Sequence, residues 1–187
     1  MVRIMTQNEH KPLIVELARL FKPRVYVELG ISAGFVFNSV TPHVQNYAFG
    51  CDIDLSKFNG KRNFELDKKS IQIFETSTQE AAKLWPQNLT IDLLFIDADH
   101  KAESVRRDFI TWSKFVTPGT GLILLHDTYP IGPKYLKPGY CNDAWIVAAE
   151  LWWSEQDFEI VTLPGPHAGL SIIRKRGKNH LHWMEGK

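Results

Sequence analysis

Short, almost purely apolar runs recur along the chain, and polar segments or segments with helical spacing separate each run from the next. The runs occupy residues 24–29, 47–53, 71–74, 91–96 and 122–125. Strands that are apolar along their whole length are buried on both faces, as in a parallel sheet whose crossover helices cover both sides. The sequence therefore predicts an α/β fold.

Helical spacing of apolar residues marks several of the separating segments. The residues at that spacing are Leu13, Leu17, Leu20 and Phe21 before the first run, and Val105, Phe109, Trp112 and Val116 before the last. Another helix is predicted at residues 144–153, with Trp152 and Trp153 packed in or beside the core. Two strands at 158–163 and 170–174 follow, joined by a hairpin-length link. We therefore expect a doubly wound, mostly parallel seven-stranded sheet with an antiparallel C-terminal hairpin at its edge.

Length and composition fit one domain. The chain has 187 residues, of which 44% are hydrophobic and 23% charged, values typical of a globular protein. We assign residues 1–176 to a single domain and 177–187 to a polar tail. The net charge of +1 provides no broad basic surface, so a nucleic-acid partner is not expected. The apolar runs are too short to span a membrane, and two cysteines are too few for a disulfide scaffold. We therefore expect a cytoplasmic protein with no membrane partner.

The first apolar run ends in the glycine-containing sequence E-L-G-I-S-A-G, residues 28–34. Gly30 lets the backbone bend sharply, and Gly34 allows a ligand to approach closely. Such a turn either binds a nucleotide-like ligand or simply joins a strand to a helix. Its spacing differs from that of a dinucleotide-binding motif, and the Glu28 carboxylate is a poor neighbour for a pyrophosphate. Glu28 instead suits a ligand that carries a positive amino or sulfonium group.

Acidic residues follow three of the predicted strands. Asp52 lies near the end of the second run, where it could accept hydrogen bonds from both hydroxyls of a ribose or cap a helix, a role that suits Asp54 better. Asp97 follows the fourth run and Asp127 the fifth, accompanied by His100 and His126. The carboxyl ends of parallel strands lie along one edge of a sheet, so we expect these side chains to converge. Asp99 is the acid best placed to cap the following helix instead.

These motifs, taken in order, resemble the class I S-adenosylmethionine-dependent methyltransferases. The resemblance rests on the glycine turn, on Asp52 about twenty residues later, and on the sequences F-I-D-A-D-H and L-L-H-D-T. More narrowly, the chain resembles the small O-methyltransferases related to catechol and caffeoyl-CoA O-methyltransferases and to the cephamycin-biosynthesis methyltransferase group. The similarity in order and spacing runs from the N-terminal helix to Arg174, nearly the whole chain.

The resemblance implies S-adenosyl-L-methionine as the cofactor and a small-molecule acceptor, and it leaves a homo-oligomer open. By position, Glu28, Gly30, Ser32 and Gly34 would surround the methionine part, Asp52 the ribose, and Thr78 and Gln79 the adenine, with Asp97 beside the cofactor. Asp97 and His100 would be catalytic, because His100 stands where the catechol-type enzymes have a catalytic lysine. A histidine is a competent general base near neutral pH. The alternative for His100 is a surface histidine paired with Asp99.

The resemblance also implies a divalent cation, Mg²⁺ or Mn²⁺, held by Asp97 and Asp127. In the family an Asn follows the second Asp, whereas here Thr128 takes that position and could offer only a weaker hydroxyl ligand. The cephamycin-like branch has a carboxylate before that Asp, and His126 could replace it through a ring nitrogen. Because side chains alternate along a strand, His126 and Asp127 can share an ion only where the strand has ended.

Two alternatives remain open from the sequence. One is a metal-independent methyltransferase that acts on an amine or a carboxylate. The other is a non-catalytic cofactor-binding protein of the same fold, since a fold does not prove a function. The loop at residues 129–141 follows the proposed metal ligands directly and could either clasp a planar or anionic acceptor or form a lid without specific contacts.

Overall fold

The computed structural model of the protein describes residues 9–60, 64–66, 69–154 and 157–177. The predicted polar tail, apart from Gly177, lies outside these residues. In the described part of the chain, none of the helices combines the length and the apolar character that a membrane span requires.

Within the described residues, five α-helices and eight strands make up the fold. The helices are α1 (Lys11–Phe21), α2 (Phe37–Val40), α3 (Thr78–Leu84), α4 (Ala102–Trp112) and α5 (Trp145–Ser154). The strands are β1 (Val25–Leu29), β2 (Tyr47–Asp52), β3 (Phe64–Leu66), β4 (Lys69–Glu75), β5 (Leu93–Ile96), β6 (Leu122–His126), β7 (Phe158–Leu163) and β8 (Leu170–Lys175). Short 3₁₀ helices occupy Thr41–His43, Ser113–Phe115 and Pro133–Leu136.

The strands form one sheet in the order β3-β4-β2-β1-β5-β6-β8-β7. The strands from β4 to β6 in this order are parallel, whereas β8 pairs antiparallel with β6 and β7 antiparallel with β8. The predicted fold class is confirmed, including the C-terminal hairpin at the edge. The three-residue strand β3 extends the predicted seven strands at the other edge. It is too short for an apolar pattern to reveal.

The sheet is covered on both faces, as the apolar runs predict. Alternate residues of β1, namely Val25, Val27 and Leu29, pack with α3, α4 and α5. Tyr26 packs on the opposite face with α1 and α2. At the end of α1, Lys22 takes a left-handed backbone with a φ of 47°, and Pro23 follows.

The expectation for the tryptophan pair of α5 is wrong. The exposed fractions of Trp152 and Trp153 are 60% and 85%. The helix instead buries its small and β-branched side chains, among them Val147 and Ala148. Because α5 is apolar on nearly every side, its sequence carries no periodic signal to show which face meets the sheet.

Candidate active site

The candidate site lies at the carboxyl ends of β1, β2, β5 and β6. In open α/β sheets, ligands bind at this edge, where the order of strands reverses direction along the chain. The sheet order places β1 between β2 and β5. The glycine turn after β1 therefore lies between Asp52 at the end of β2 and Asp97 just after β5.

The glycine turn packs tightly against the residues that follow β5. Gly30 has a φ of 86°, and a Cβ atom there would lie 2.2 Å from the carbonyl oxygen of Asp97. Gly34 has a φ of 81°, and its Cβ would lie 2.6 Å from the ring of Phe58. Ser32, between them, has a φ of 44°. Glycine is thus required at 30 and 34 by backbone conformation and close packing.

Asp52 joins the end of β2 to the glycine turn. Its Oδ2 accepts a hydrogen bond of 2.8 Å from the backbone N–H of Ser32, and its Oδ1 accepts one of 3.1 Å from the N–H of Asp54. No helix occurs in residues 53–60, so Asp52 does not cap one. The carboxylate lies beside the turn, as a ribose-binding acid would.

Glu28 is buried below the turn, with an exposed fraction of 2%. Its carboxyl group accepts hydrogen bonds from the Tyr26 hydroxyl and from the backbone N–H of Phe37. Burial raises the pKa of Glu28 well above its usual value, which favours the neutral carboxylic acid. Its predicted contact with the methionine part of a cofactor is untested and stays a prediction.

Thr78 and Gln79 begin α3, and their side chains bind Asp108 of α4. The Thr78 hydroxyl donates to Asp108 Oδ1 at 2.5 Å, and the Gln79 amide donates to the same oxygen at 2.8 Å. Burial raises the pKa of Asp108. Both predicted adenine contacts are therefore held by a buried acid that the sequence analysis missed, because helical spacing alone does not distinguish it from a surface charge.

The two aspartates and two histidines predicted to converge do converge. His126 Nδ1 lies 3.1 Å from Asp97 Oδ1 and 3.2 Å from Asp127 Oδ2. His100 Nε2 lies 3.0 Å from Asp127 Oδ2 and 3.8 Å from Asp97 Oδ1. The other ring nitrogen of His100, Nδ1, contacts the carbonyl oxygen of Tyr140. We call these four side chains the charged cluster.

A turn of the backbone lets two consecutive residues join the charged cluster. Strand β6 ends at His126, and Asp127 takes a left-handed backbone with a φ of 61°. Asp adopts this conformation more readily than most residues do. Strand β6 therefore ends before Asp127, which His126 and Asp127 require in order to share one ion.

Three members of the charged cluster, His126, His100 and Asp97, have a pKa that their neighbours in the cluster shift. Burial alone would lower the pKa of His126, but Asp97 and Asp127 raise it well above its usual value. Burial would likewise lower the pKa of His100, yet Asp97, Asp127 and the Tyr140 carbonyl raise it to about 9. Burial alone would raise the pKa of Asp97, but His126 and His100 lower it. The shifts of His126 and His100 both favour the protonated, positively charged ring.

Three members of the charged cluster fit a divalent cation. Asp97, His126 and Asp127 each offer one ligand atom, and these atoms lie within 4.8 Å of one another. Ligands held about 2.1 Å from an ion at right angles are about 3 Å apart, close to the distances from His126 Nδ1 to the two carboxylates. Among the described residues, neither ring nitrogen of His126 has a well-formed hydrogen-bond partner. Carboxylates with one imidazole suit Mn²⁺, Fe²⁺ or Zn²⁺ as well as Mg²⁺.

Thr128 faces away from a shared ion. Its side chain is buried, and its hydroxyl accepts a hydrogen bond of 2.9 Å from the Ser171 hydroxyl of β8. The hydroxyl is therefore engaged between strands, and His126 is the better third ligand.

Residues 9–10 and 167–168 close one side of the cluster, and the sequence does not predict that they meet. Glu9 Oε1 accepts hydrogen bonds from the backbone N–H groups of His167 and Ala168, at 3.1 and 2.9 Å. Glu9 Oε2 lies 2.8 Å from His167 Nδ1. The buried ring of His10 meets the His126 ring edge-on, with centroids 5.4 Å apart. No local motif marks residues that meet across so long a stretch of chain.

The sheet order, the glycine turn and the acid at the end of β2 together define the class I S-adenosylmethionine-dependent methyltransferase fold. A family model described as a methyltransferase domain matches residues 27–128, more than half of the 187 residues. The chain belongs to this methyltransferase family. No curated protein matches the chain.

Solved structures with the same fold cover nearly the whole chain at low sequence identity. Rv0187 from MTB, solved with its cofactor, is 14% identical with a TM-score of 0.71, over 95% of this chain and 84% of that one. The Bacillus cereus O-methyltransferase in complex with SAH is 13% identical with a TM-score of 0.70, over 94% and 84%. TomG of Streptomyces achromogenes, an O-methyltransferase of tomaymycin synthesis in complex with SAM, is 13% identical with a TM-score of 0.65, over 93% and 82%.

Proposed function

We propose that this protein transfers a methyl group from S-adenosylmethionine to a hydroxyl group of a small molecule, assisted by a divalent cation. The observation that carries the proposal is the contact between the two halves of the site. Gly30 of the turn packs directly on the backbone of Asp97, whose side chain belongs to the charged cluster. A methyl donor on the turn and an acceptor at the cluster would therefore be neighbours. Structures of the same fold that are described as O-methyltransferases in complex with SAH or SAM support the choice of cofactor.

The chain's own residues would bind and orient the cofactor. Gly30, Ser32 and Gly34 would surround its methionine part, and Asp52 would accept hydrogen bonds from the ribose hydroxyls. Glu28 would face the positively charged methionine part, and Asp108 would keep the first turn of α3 in place at the adenine. When bound, S-adenosylmethionine supplies an electrophilic methyl group on a sulfonium centre, and the turn would aim it at the charged cluster.

Asp97, His126 and Asp127 would hold the cation, which when bound lowers the pKa of a hydroxyl ligand and fixes the position of its oxygen. His100 is the side chain placed to take a proton. Because Nδ1 of His100 contacts the Tyr140 carbonyl, Nε2 is the nitrogen that faces the cluster. His100 acts as a base only in its neutral form, and positive charge nearby favours that form.

A metal-independent reaction is the second candidate, and the ion pairs of the cluster favour it. His126 and His100 already contact the two carboxylates at 3.0 to 3.2 Å, so the carboxylates have counter-charges in the chain itself. In that case the acceptor would be an amine or a carboxylate, and His100 with Asp97 would only position it.

The test is methyl transfer with and without metal, measured as SAH formed by mass spectrometry. The protein is stripped with chelator, assayed with hydroxyl, amine and carboxylate acceptors, and then supplied separately with Mg²⁺, Mn²⁺ and Zn²⁺. We expect activity on hydroxyl acceptors to disappear and to return with one of the ions. Full activity of the stripped protein would exclude the metal-assisted mechanism and leave the second candidate.

Matched variants refine the same test. Asp127→Asn should lose the response to metal, whereas Asp54→Asn changes an exposed acid on the same edge of the sheet and should retain it. Cofactor affinity without turnover across all acceptors would instead favour a non-catalytic binding protein. Mass spectrometry of small molecules that co-purify with the protein would identify the acceptor.

A further inference from the structure

Residues 140–143 run past the charged cluster and contact it or its supports at three positions. The Tyr140 carbonyl contacts His100 Nδ1. The Cys141 thiol is within hydrogen-bonding reach of the Asp127 carboxylate. Asp143 Oδ1 accepts a hydrogen bond of 2.7 Å from the backbone N–H of Ala102 at the start of α4. We call residues 140–143 the bracing segment.

The contact with Tyr140 fixes which nitrogen of His100 faces the site. A carbonyl oxygen only accepts, so Nδ1 must carry a proton to bond to it. Nε2 is then the nitrogen that points to Asp127 and Asp97. The orientation of a functional imidazole is commonly set by such a bond from its other nitrogen.

The contact with Cys141 constrains Asp127. Cys141 is buried, with an exposed fraction of 1%, and it packs with Tyr135 and Ala168. Burial and the Asp127 charge raise the pKa of this thiol to about 12, so it remains a donor. A thiol is a weak donor, but this one lies within reach of the carboxylate that also contacts both histidines, on a residue with a left-handed backbone.

Asp143 caps the first residue of α4, whereas Asp99, the acid expected to cap this helix, accepts hydrogen bonds from the N–H groups of His100 and Lys101 just before it. The residue before the helix, Lys101, makes no capping hydrogen bond with its side chain. Asn142 has a φ of 48°, and its N–H donates to the Tyr135 carbonyl at 3.2 Å. The bend at Asn142 thus separates Cys141, which contacts Asp127, from Asp143, which holds the start of α4 just after His100.

We propose that the bracing segment positions the charged cluster, with Cys141 as the positioning residue for Asp127 and the Tyr140 carbonyl for His100. The proposal rests on the function proposed above, because it assigns these contacts to the metal-binding and proton-accepting groups. The segment begins with the exposed Tyr140, and the loop before the segment begins with the exposed Tyr129. The segment therefore links that loop to the groups that carry charge.

The first experiment compares Cys141→Ala with Cys141→Ser in the full-length protein. Mn²⁺ affinity is measured by calorimetry, and kcat and KM for S-adenosylmethionine by SAH formation. Loss of a supporting hydrogen bond to a metal ligand typically costs about 10- to 100-fold in affinity or activity. For Cys141→Ala we expect a loss of Mn²⁺ affinity of this size and an unchanged KM for the cofactor. Cys141→Ser keeps a donor, so we expect its Mn²⁺ affinity to fall by only a few fold.

Cys51→Ala is the matched control. Cys51 is buried as completely as Cys141 but lies on β2, in the core beside Phe49 and Ala81. Cys51→Ala should lose about as much thermal stability as Cys141→Ala, while its Mn²⁺ affinity stays equal to that of the wild type. Equal losses of Mn²⁺ affinity in Cys51→Ala and Cys141→Ala would show a general effect of packing and overturn the proposal.

A crystal structure of the metal-free Cys141→Ala protein tests the inference independently of the function. We expect the Asp127 carboxylate to leave His100 Nε2 in this variant and to keep the contact in Cys141→Ser. If Cys141→Ala does not fold, Asp143→Ala takes its place, because this variant leaves the buried thiol unchanged. Asp143→Ala should shift the start of α4 and His100. Unchanged positions of Asp127 and His100 would overturn the proposal, whereas a wild-type protein that binds no cation would overturn only the metal-assisted function.

Discussion

The cofactor side and the acceptor side of the site are built differently. On the cofactor side, neighbouring strands and their turns supply the polar contacts: Asp52 bonds to Ser32, and Glu28 to Tyr26. On the acceptor side, charged side chains contact one another and are supported by residues 9–10, 140–143 and 167–168. The first region depends on a local strand and turn, and the second on contacts made across the whole chain.

This difference separates two kinds of expected variant. A change on the cofactor side should act on backbone geometry or on cofactor affinity. A change on the acceptor side should act on turnover and on metal binding, with little effect on the affinity for S-adenosylmethionine. A variant that lowers both turnover and the affinity for S-adenosylmethionine would show that the two regions form one cooperative unit.

The largest effect is expected at His100. Replacing it with Gln removes the proton acceptor and should lower kcat by roughly 10²- to 10⁴-fold, while the dissociation constant for S-adenosylmethionine changes little. Kinetics and calorimetry on the same preparation give both quantities. A kcat equal to that of the wild type would remove His100 from catalysis, and an equally large loss of cofactor affinity would contradict the separation of the two regions.

Gly30→Ala should produce the next largest effect, and on stability. The substitution forces a Cβ into a left-handed conformation, which alone costs about 1–2 kcal/mol, and places it 2.2 Å from the Asp97 carbonyl oxygen. We expect the free energy of unfolding to fall by more than that amount. Gly139→Ala is the control, because Gly139 also has a positive φ but nothing lies within 4 Å of its Cβ position. Equal losses in the two variants would contradict the close packing at Gly30.

Asp52→Ala should weaken cofactor binding without affecting metal binding. It removes a charged acceptor for two ribose hydroxyls, each such hydrogen bond contributing roughly 1.5–3 kcal/mol. Calorimetry should therefore show at least about a tenfold loss of S-adenosylmethionine affinity, with Mn²⁺ affinity unchanged and with Asp54→Ala close to wild type. Unchanged cofactor affinity in a folded Asp52→Ala protein would place the ribose elsewhere.

The same difference explains what the sequence could and could not predict. The apolar runs 24–29 and 122–125 gave strands within a residue of β1 and β6, because burial on both faces leaves a continuous local signal. The convergence of Asp97, His100, His126 and Asp127 followed from the rule that parallel strands end at one edge. Strand β3, the exposed Trp153 and the buried Asp108 carry no such signal, because each depends on tertiary packing.

The supports of the acceptor side were beyond the reach of sequence patterns for a further reason. Glu9 meets His167, and Cys141 meets Asp127, through contacts that close only after the sheet has formed. A single Glu or Cys has no neighbours in sequence that reveal such a partner. From the sequence, a turn of the backbone at Asp127 could be stated only as a condition for His126 and Asp127 to share an ion. In the structure that turn is the left-handed backbone of Asp127.

The smallest effect is a dependence of stability on pH that should distinguish the metal-free from the metal-bound acceptor side. In the metal-free protein, burial alone would lower the pKa of His100, but Asp97, Asp127 and the Tyr140 carbonyl raise it to about 9, above the roughly 6.5 of an unfolded histidine. A raised pKa means that the folded state binds the proton more tightly, so this contribution is complete below about pH 6.5 and is lost as pH rises toward 9.

Thermal unfolding of chelator-treated protein should therefore show a declining melting temperature over that range. His100→Gln should flatten the decline, whereas His43→Gln, which changes a histidine of the short helix Thr41–His43, should not. Saturating Mn²⁺ should also flatten it if the cation takes over the carboxylates, and a decline that is identical with and without Mn²⁺ would contradict a shared site.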